Sequence, residues 1–380
     1  MSKLPILDLS RAFAEIRGEV DAAVRRVLDN QSFILGREVR AFEEYVESYL
    51  ELPELSAVGC ASGTDALLLA LMALDVGPGD EVVTTPYTFF ATAGVITRLG
   101  ARPVFADIDP GTYNVDLADV ERRLTPRTKV FLPVHLFGQM TPVERIAPLL
   151  RERGIRIVED SAQSFGAWRR VDDKIVRAGT MGDVGCVSFF PTKNLGGCGD
   201  GGMVVTSDPE RAARLRRLRV HGEGSTYFHE EVGLNSRLDA LQAAILDVKL
   251  PHLEAWNQER RRIADFYRLS FETRGLTERG LRLPVELKGN YHIYHQYVVR
   301  VPKRDALMAR LEERGLSTRV YYPLPLHLQP CFAFLGGKRG DCPEAEKLSE
   351  EALALPIFPG LRPDEQGMLC DAVAEFLIQQ

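Results

Sequence analysis

The 380-residue chain has no C-x-x-C pair, no stretch near the roughly 18 consecutive apolar residues that a membrane span requires, and no excess of basic charge. Its six cysteines (Cys60, Cys186, Cys198, Cys331, Cys342 and Cys370) are scattered, and none has flanking histidines at zinc-ligand spacing, so no metal site is expected. Free thiols in a reducing cytosol fit this pattern. The N-terminal "MSKLPILDLSRAFAEI" turns polar before any signal-length apolar run, so a soluble cytoplasmic protein without a membrane partner is expected. With 47 Lys and Arg against 53 Asp and Glu, the net charge of −6 argues against a nucleic-acid partner. The basic run "RAARLRRLR" reads as the solvated face of a helix. Two glycine signatures are also missing. There is no GxxxxGK[ST] phosphate loop, which disfavours an ATPase, and "GCASGTDA" lacks the GxGxxG order that a nicotinamide dehydrogenase places after its first strand. No repeat, low-complexity tract or disordered linker interrupts the chain.

What is present is an alternation of periods. "FAEIRGEVDAAVRRVLDN" and "REVRAFEEYVESYL" carry apolar residues three and four apart and predict two surface-packed helices. From Ser56 to about Thr206 short β-rich runs alternate with helical segments: "AVGCA", "EVVTTP", "RPVFADI", "KVFLPVHL", "IRIVED", "DVGCVSFF" and "GGMVVT". This is the pattern of an α/β domain with a mainly parallel central sheet. Helix starts follow the strands, as in "SGTDALLLALMAL" after "AVGCA", so informative residues should collect at strand carboxyl ends. A long helical stretch from "SRLDALQAAIL" to "FYRLSF" leads away from the sheet. Beyond it, "YHQYVVRVP" predicts a strand and "RDALMARLEERG" a helix. The reading is a large α/β domain over residues 1–250 and a smaller α+β domain over 251–380.

Lys193, in "SFFPTKNLGGCGDGG", lies between a buried strand and a glycine-rich turn where backbone can approach a ligand. A desolvated lysine there has a lowered pKa and becomes an amine nucleophile for carbonyls, although the stretch alone also suits an ordinary loop lysine. In "VEDSAQSFGA", Asp160 ends a central strand, where a carboxylate is costly unless a cation meets it. A pyridinium nitrogen is such a partner; a metal or a helix cap would serve as well. "CASGTDALLLAL" offers a helix start at Gly63 and Thr64 whose free N–H groups can bind phosphate, or a plain N-cap by Ser62 or Thr64. Phe89, in "PYTFFATAG", suits stacking on a planar ring, or a core position.

Together "CASGTDALLLAL", "GDEVVTTPYTFFATA", "VFADIDPGTYNVD", "PVHLFGQ", "VEDSAQSFGA", "SFFPTKNLGG", "GLNSRLDALQAAIL" and "YYPLPLHLQP" resemble, in order and spacing, the nucleotide-sugar aminotransferases of the DegT/StrS family. The resemblance spans nearly the whole chain. It implies a type I fold dependent on pyridoxal 5'-phosphate, like that of aspartate aminotransferase, working as a homodimer with sites at the subunit interface. Lys193 would form the Schiff base and carry protons, and Asp160 would pair with the pyridinium nitrogen. Gln163 would lie against the ring and its hydroxyl, and Phe89 would stack on the opposite face. Gly63, Thr64 and Ser188 would hold the phosphate, joined by Asn235 of the "GxNxR" block from the partner subunit. Arg237 is expected at substrate anionic groups and His327 near the sugar. His135 and Tyr113 belong to these blocks but read as structural. The implied reaction moves an amine from L-glutamate to a keto group of a nucleotide-linked sugar for amino-sugar or surface-polysaccharide biosynthesis. The "GGCGDGG" form favours C3 over the C4 associated with "TGEGG". A C4 enzyme and a non-catalytic regulator are the alternatives, and a lysine at position 193 disfavours the dehydratase branch, which has histidine there. One departure stands out: Gly94 replaces the asparagine of "TFxATAN".

Overall fold

The seven β-rich runs become the strands of one sheet in the computed structural model, which describes residues 3–379. Two helices come first, α1 (Leu9–Asn30) and α2 (Gly36–Leu50). The α/β region then runs β1 (Ser56–Cys60), α3 (Gly63–Ala73), β2 (Glu81–Thr84), α4 (Ala91–Arg98), β3 (Arg102–Phe105), α5 (Leu117–Arg123), β4 (Thr128–Leu132), α6 (Ala147–Glu152) and β5 (Arg156–Asp160). It continues through the strands β6 (Trp168–Val171), β7 (Lys174–Arg177), β8 (Val184–Ser188) and β9 (Gly202–Thr206), then α7 (Pro209–Leu218). The sheet order is β1-β9-β8-β5-β4-β2-β3, with β9 antiparallel to both neighbours and every other pair parallel. Strands β2, β8 and β9 are buried along their whole length, as expected for a sheet covered on both faces.

Helix α3 explains one cover. Its sequence GTDALLLALMA is apolar nearly all round, and Ala66 to Leu71 are all buried because the helix packs between the sheet and the neighbouring helices α4 and α7. The antiparallel ribbon β10 (Glu223–Ser225) and β11 (Phe228–His229) is followed by α8 (Ala240–Lys249) and α9 (Leu253–Thr273). The remaining elements are β12 (Asn290–Tyr291), β13 (Tyr297–Arg300), α10 (Arg304–Glu313), α11 (Pro343–Glu351), β14 (Ala352–Leu355) and α12 (Pro363–Ile378).

A second core forms where Ile263, Tyr267 and Phe271 of α9 meet Val299, Leu307, Leu353 and Val373. Deleting a buried aromatic such as Phe271 would cost about 3–5 kcal/mol. Leu4 joins this core and bridges to Leu316, so the chain start is tied to the C-terminal part. The strand expected at "YHQYVVRVP" and the helix at "RDALMARLEERG" are β13 and α10. Sequence periodicity did not reveal the small sheet β12-β6-β7, where Trp168 stacks on Tyr291 with centroids 5.1 Å apart. Among the described residues no helix is long and apolar enough to cross a membrane.

Candidate active site

The carboxyl ends of β5 and β8 are neighbours in the sheet, so Asp160 and Ser188 come together without any long side-chain reach. Asp160 is 5% exposed. Its Oδ2 accepts from the Thr92 hydroxyl at 2.8 Å and its Oδ1 from the Ala162 N–H at 3.2 Å. Burial pushes its pKa up, opposed by those two hydrogen bonds and by the charge of Lys193. Lys193 begins the glycine-rich loop after β8, where its N–H closes a turn on Phe190 O at 2.8 Å. Burial lowers its ammonium pKa to about 8, with the charge of Asp160 acting in the opposite sense. The pair forms no ion contact within 4 Å among the described residues, and Lys193 lines a cavity.

Beside them lies a cradle for an anion. Ser62 caps α3, accepting from Asp65 N–H at 3.1 Å, and the N–H groups of Gly63 and Thr64 in the first turn have no acceptor within the helix. Gly63 cannot be any other residue in this arrangement, because an added Cβ would lie 2.5 Å from Ser188 Cβ and 2.9 Å from its Oγ. The helix start and the end of β8 are therefore pressed together, with the Ser188 hydroxyl at the helix dipole. Phe89, at the entry to α4, leaves its ring 59% exposed, whereas the next residue, Phe90, stacks on Phe332 at 5.5 Å. Gln163 is locked: its Oε1 accepts from Phe137 N–H at 2.8 Å and its Nε2 donates to the Tyr322 hydroxyl at 3.1 Å.

Sequence reasoning missed Thr92 and Tyr322. Thr92 also bonds Thr88, four residues earlier in the bend before α4, at 3.0 Å, and that i, i+4 hydroxyl pair was the available signal. Tyr322 is held by Tyr87, whose hydroxyl donates to Tyr321 O and accepts from Tyr322 N–H at 2.9 Å. Asn235, Arg237 and His327 share no side-chain hydrogen bond with this group among the described residues. Asn235 is exposed in a bridge to Val220, and Arg237 is two residues on in the same segment, whose Ser236 hydroxyl accepts from Ala61 N–H at 3.2 Å. His327 is turned to Glu346 at 3.1 Å and lines a cleft with Arg102 and Arg123 beside β3, a different cleft from the one containing Lys193. His135 is wholly buried. Its Nδ1 accepts from Thr141 N–H, so Nε2 carries the proton and donates to Glu159 at 2.7 Å.

An isolated amine on a glycine loop, a carboxylate short of partners, an uncovered aromatic face and a helix-start anion cradle fit pyridoxal phosphate. The fold and this group of residues define a pyridoxal phosphate-dependent aminotransferase. Residues 14–374 match the model of the DegT/DnrJ/EryC1/StrS aminotransferase family, and the chain belongs to that family. It is 49% identical over 376 residues to a pleiotropic regulatory protein of Geobacillus stearothermophilus, covering 98% of each chain. It is 43% identical over 374 residues, again 98% of each chain, to the UDP-N-acetyl-3-dehydro-alpha-D-glucosamine 3-aminotransferase of Acidithiobacillus ferrooxidans. Among solved structures, S. venezuelae DesV in complex with ketimine intermediate is 40% identical, with a TM-score of 0.94 and 99% of each chain covered.

Proposed function

We propose that the protein transfers an amino group from L-glutamate to the C3 keto group of a nucleotide-linked sugar, in the cytoplasm, supplying an amino sugar for surface polysaccharide. The observation that carries the reading is the convergence of Lys193, Asp160, Phe89 and the Gly63–Ser188 cradle on the sheet's carboxyl end. Pyridoxal phosphate supplies the electron sink that makes a proton on an amine-bearing carbon removable. Lys193 is the nucleophile and the proton carrier, since an amine titrating near pH 8 is partly neutral at working pH. Asp160 holds a proton on the ring nitrogen, and Thr92 and Ala162 fix its carboxylate plane. Phe89 covers one ring face, and the bonds to Phe137 and Tyr322 keep Gln163 in place. Gly63, Thr64 and Ser188 bind the phosphate through N–H and hydroxyl donors.

The site is shared between two copies of the chain in this reading, with Asn235 and Arg237 reaching the phosphate and a substrate anion of the partner. Exposed Tyr227, Phe228 and Val232, just before Asn235, support an apolar contact there. His327 faces the sugar only if its bond to Glu346 is exchanged. The same reading keeps residues 1–250 and 251–380 as the two domains.

C3 is supported by the "GGCGDGG" loop and by the 3-aminotransferase relative. The relative named as a regulatory protein favours a second reading, a regulator that binds cofactor without turnover. The complete Lys193, Asp160 and Gln163 set argues against it. Incubating the holoenzyme with glutamate and a panel of 3-keto and 4-keto nucleotide sugars, followed by NMR of the product, decides among them. Nitrogen on C3 is the expected result. Nitrogen on C4 with 3-keto sugars refused would overturn the regiochemistry, and no turnover with any sugar would favour the regulator.

A further inference from the structure

Four arginines are buried among the described residues: Arg169, Arg219, Arg260 and Arg300. Three of them face a carboxylate, Arg169 on Glu144 at 2.9 Å, Arg219 on Glu43 at 2.6 Å and Arg300 on Glu351 at 2.9 Å. Arg260 does not. It is 4% exposed; its Nη1 donates to Ile357 O at 2.8 Å, with longer contacts to the carbonyls of His295 and Tyr294, and its Nε has no partner. Burying a guanidinium without an anion is costly, because neutral carbonyls return only part of the lost hydration.

This arginine lines a cavity of about 330 Å³ whose wall also includes Lys193 and Lys249. Lys249 is largely buried and bonds only a carbonyl, that of Gly196. The one carboxylate in the wall, Asp8, is already engaged by Arg11 at 3.1 Å and by Ser10. Glu259, adjacent to Arg260 in sequence, is taken by Gly360 N–H and Arg262. Beside the lysine nucleophile the cavity therefore carries two cationic groups and, among the described residues, no free anion. The rest of its lining is mostly apolar, from Leu9, Phe13 and Trp256. Such a chamber suits a small ligand with carboxylates at its ends and a methylene stem between them.

We infer that this cavity is the amine-donor subsite, with Arg260 binding one carboxylate of an amino dicarboxylate and Lys249 drawing in the other. The inference rests on the aminotransfer reading and names the residues that would select its donor. A sugar-linked diphosphate is the other anion the cavity could attract; the mostly apolar lining from Leu9, Phe13 and Trp256 favours the dicarboxylate with its methylene stem.

The test is calorimetric binding of 2-oxoglutarate and, separately, of UDP to the holoenzyme, in the wild type and in Arg260→Gln, Arg260→Lys and Lys249→Gln. Arg260→Gln should weaken 2-oxoglutarate about tenfold or more, Lys249→Gln less, and Arg260→Lys should recover part of the loss, while UDP affinity stays the same. The KM for glutamate should rise in parallel with the KM for the sugar unchanged. Because Arg260→Gln also loses a bond to Ile357 O, the binding comparison counts only where melting temperature and cofactor absorbance match the wild type, and Lys249→Gln carries the test if they do not. Unchanged 2-oxoglutarate binding in these variants overturns the assignment, as does a loss confined to UDP. Failure of the donor reading itself is seen separately, as wild-type enzyme that takes no amine from glutamate.

Discussion

Asp160→Asn separates the electronic role of this residue from its packing. The amide has the same shape, keeps an oxygen for the Ala162 N–H, and meets in Thr92 a hydroxyl that can turn from donor to acceptor. Folding should therefore change by no more than about 1 kcal/mol. The sign of the pH dependence is specific. Burial raises the Asp160 pKa in the cofactor-free chain, so its folded state is favoured while the group is protonated, and that advantage is lost as pH rises from the unfolded value through the raised one. Cofactor-free wild type should thus lose melting temperature relative to Asp160→Asn as pH rises above about 4. With cofactor bound the order reverses, because a charge-assisted contact to the ring nitrogen is replaced by a neutral one. Loss of one such preorganised partner is worth roughly 10²–10³ in kcat, about 3 kcal/mol. Lys193 should respond too: without the carboxylate that holds its pKa up, its titration moves below about 8. Stopped-flow turnover, thermal melts from pH 4 to 8 and the pH titration of the cofactor band give the three readouts. Near-normal kcat, or an unmoved band, would refute the assignment of Asp160.

Borohydride reduction of the holoenzyme followed by peptide mapping should put the cofactor label on Lys193, and Lys193→Ala should lose label and turnover together; a label on another lysine sinks the assignment. Gly63→Ala drives a methyl to 2.5 Å from Ser188 Cβ, so cofactor affinity should fall about tenfold or more while melting of the cofactor-free chain drops by an overpacking cost of about 1–3 kcal/mol. Equal cofactor affinity by fluorescence titration would contradict the cradle. Gly94→Asn meets the Phe90 ring at 2.8 Å and should destabilise the chain by a similar amount, with Phe90→Ala in the same chain recovering part of the loss; independent effects of the two changes would show that they do not share the space. Mixing Lys193→Ala with an Asn235/Arg237 double variant should restore some turnover through mixed dimers, and none after verified subunit exchange would remove the shared site.

The central sheet was legible because each strand is a short β-rich run between turn signals, and all seven expected runs are strands of it. Asp160 and Lys193 stood out as candidates for a related reason: a parallel α/β sheet brings neighbouring strand ends together, so position in the pattern predicts proximity, whereas Ser188 came only from the family resemblance. The strand "ALAL" of β14 was not, being a four-residue apolar run directly after helix α11 and without a turn signal. Thr92 and Tyr322 were hidden because their contacts, with Asp160 and Gln163, span 68 and 159 residues and depend on how α4 and the loop after α10 dock on the sheet. Gly94 was visible as a departure, but its cause, the Phe90 ring stacked on Phe332, is a contact between distant segments.

Adjacent residues of β5 show what the structure adds to such patterns. Glu159 and Asp160 both end the strand and both are buried, and nothing in the sequence ranks them. Glu159 accepts four hydrogen bonds, from His135 Nε2 and from the N–H groups of Gly179, Met181 and Gly182, which anchors the loop before β8 and leaves the carboxylate no capacity for chemistry. Asp160 accepts two, from a hydroxyl and one N–H, and so remains short of a cation. The basic side chains divide the same way: Arg169, Arg219 and Arg300 are buried against carboxylates, while Arg260, buried, and Lys193, half-buried, have no carboxylate within 4 Å among the described residues. A fold that satisfies Glu159 so fully has the means to satisfy Asp160, and leaving it short is stable only if a ligand completes it. The two bases line the cavity beside the lysine loop, and the acid ends the strand next to the one that leads into it, so the same deficit that costs stability in the empty chain supplies affinity for what binds there.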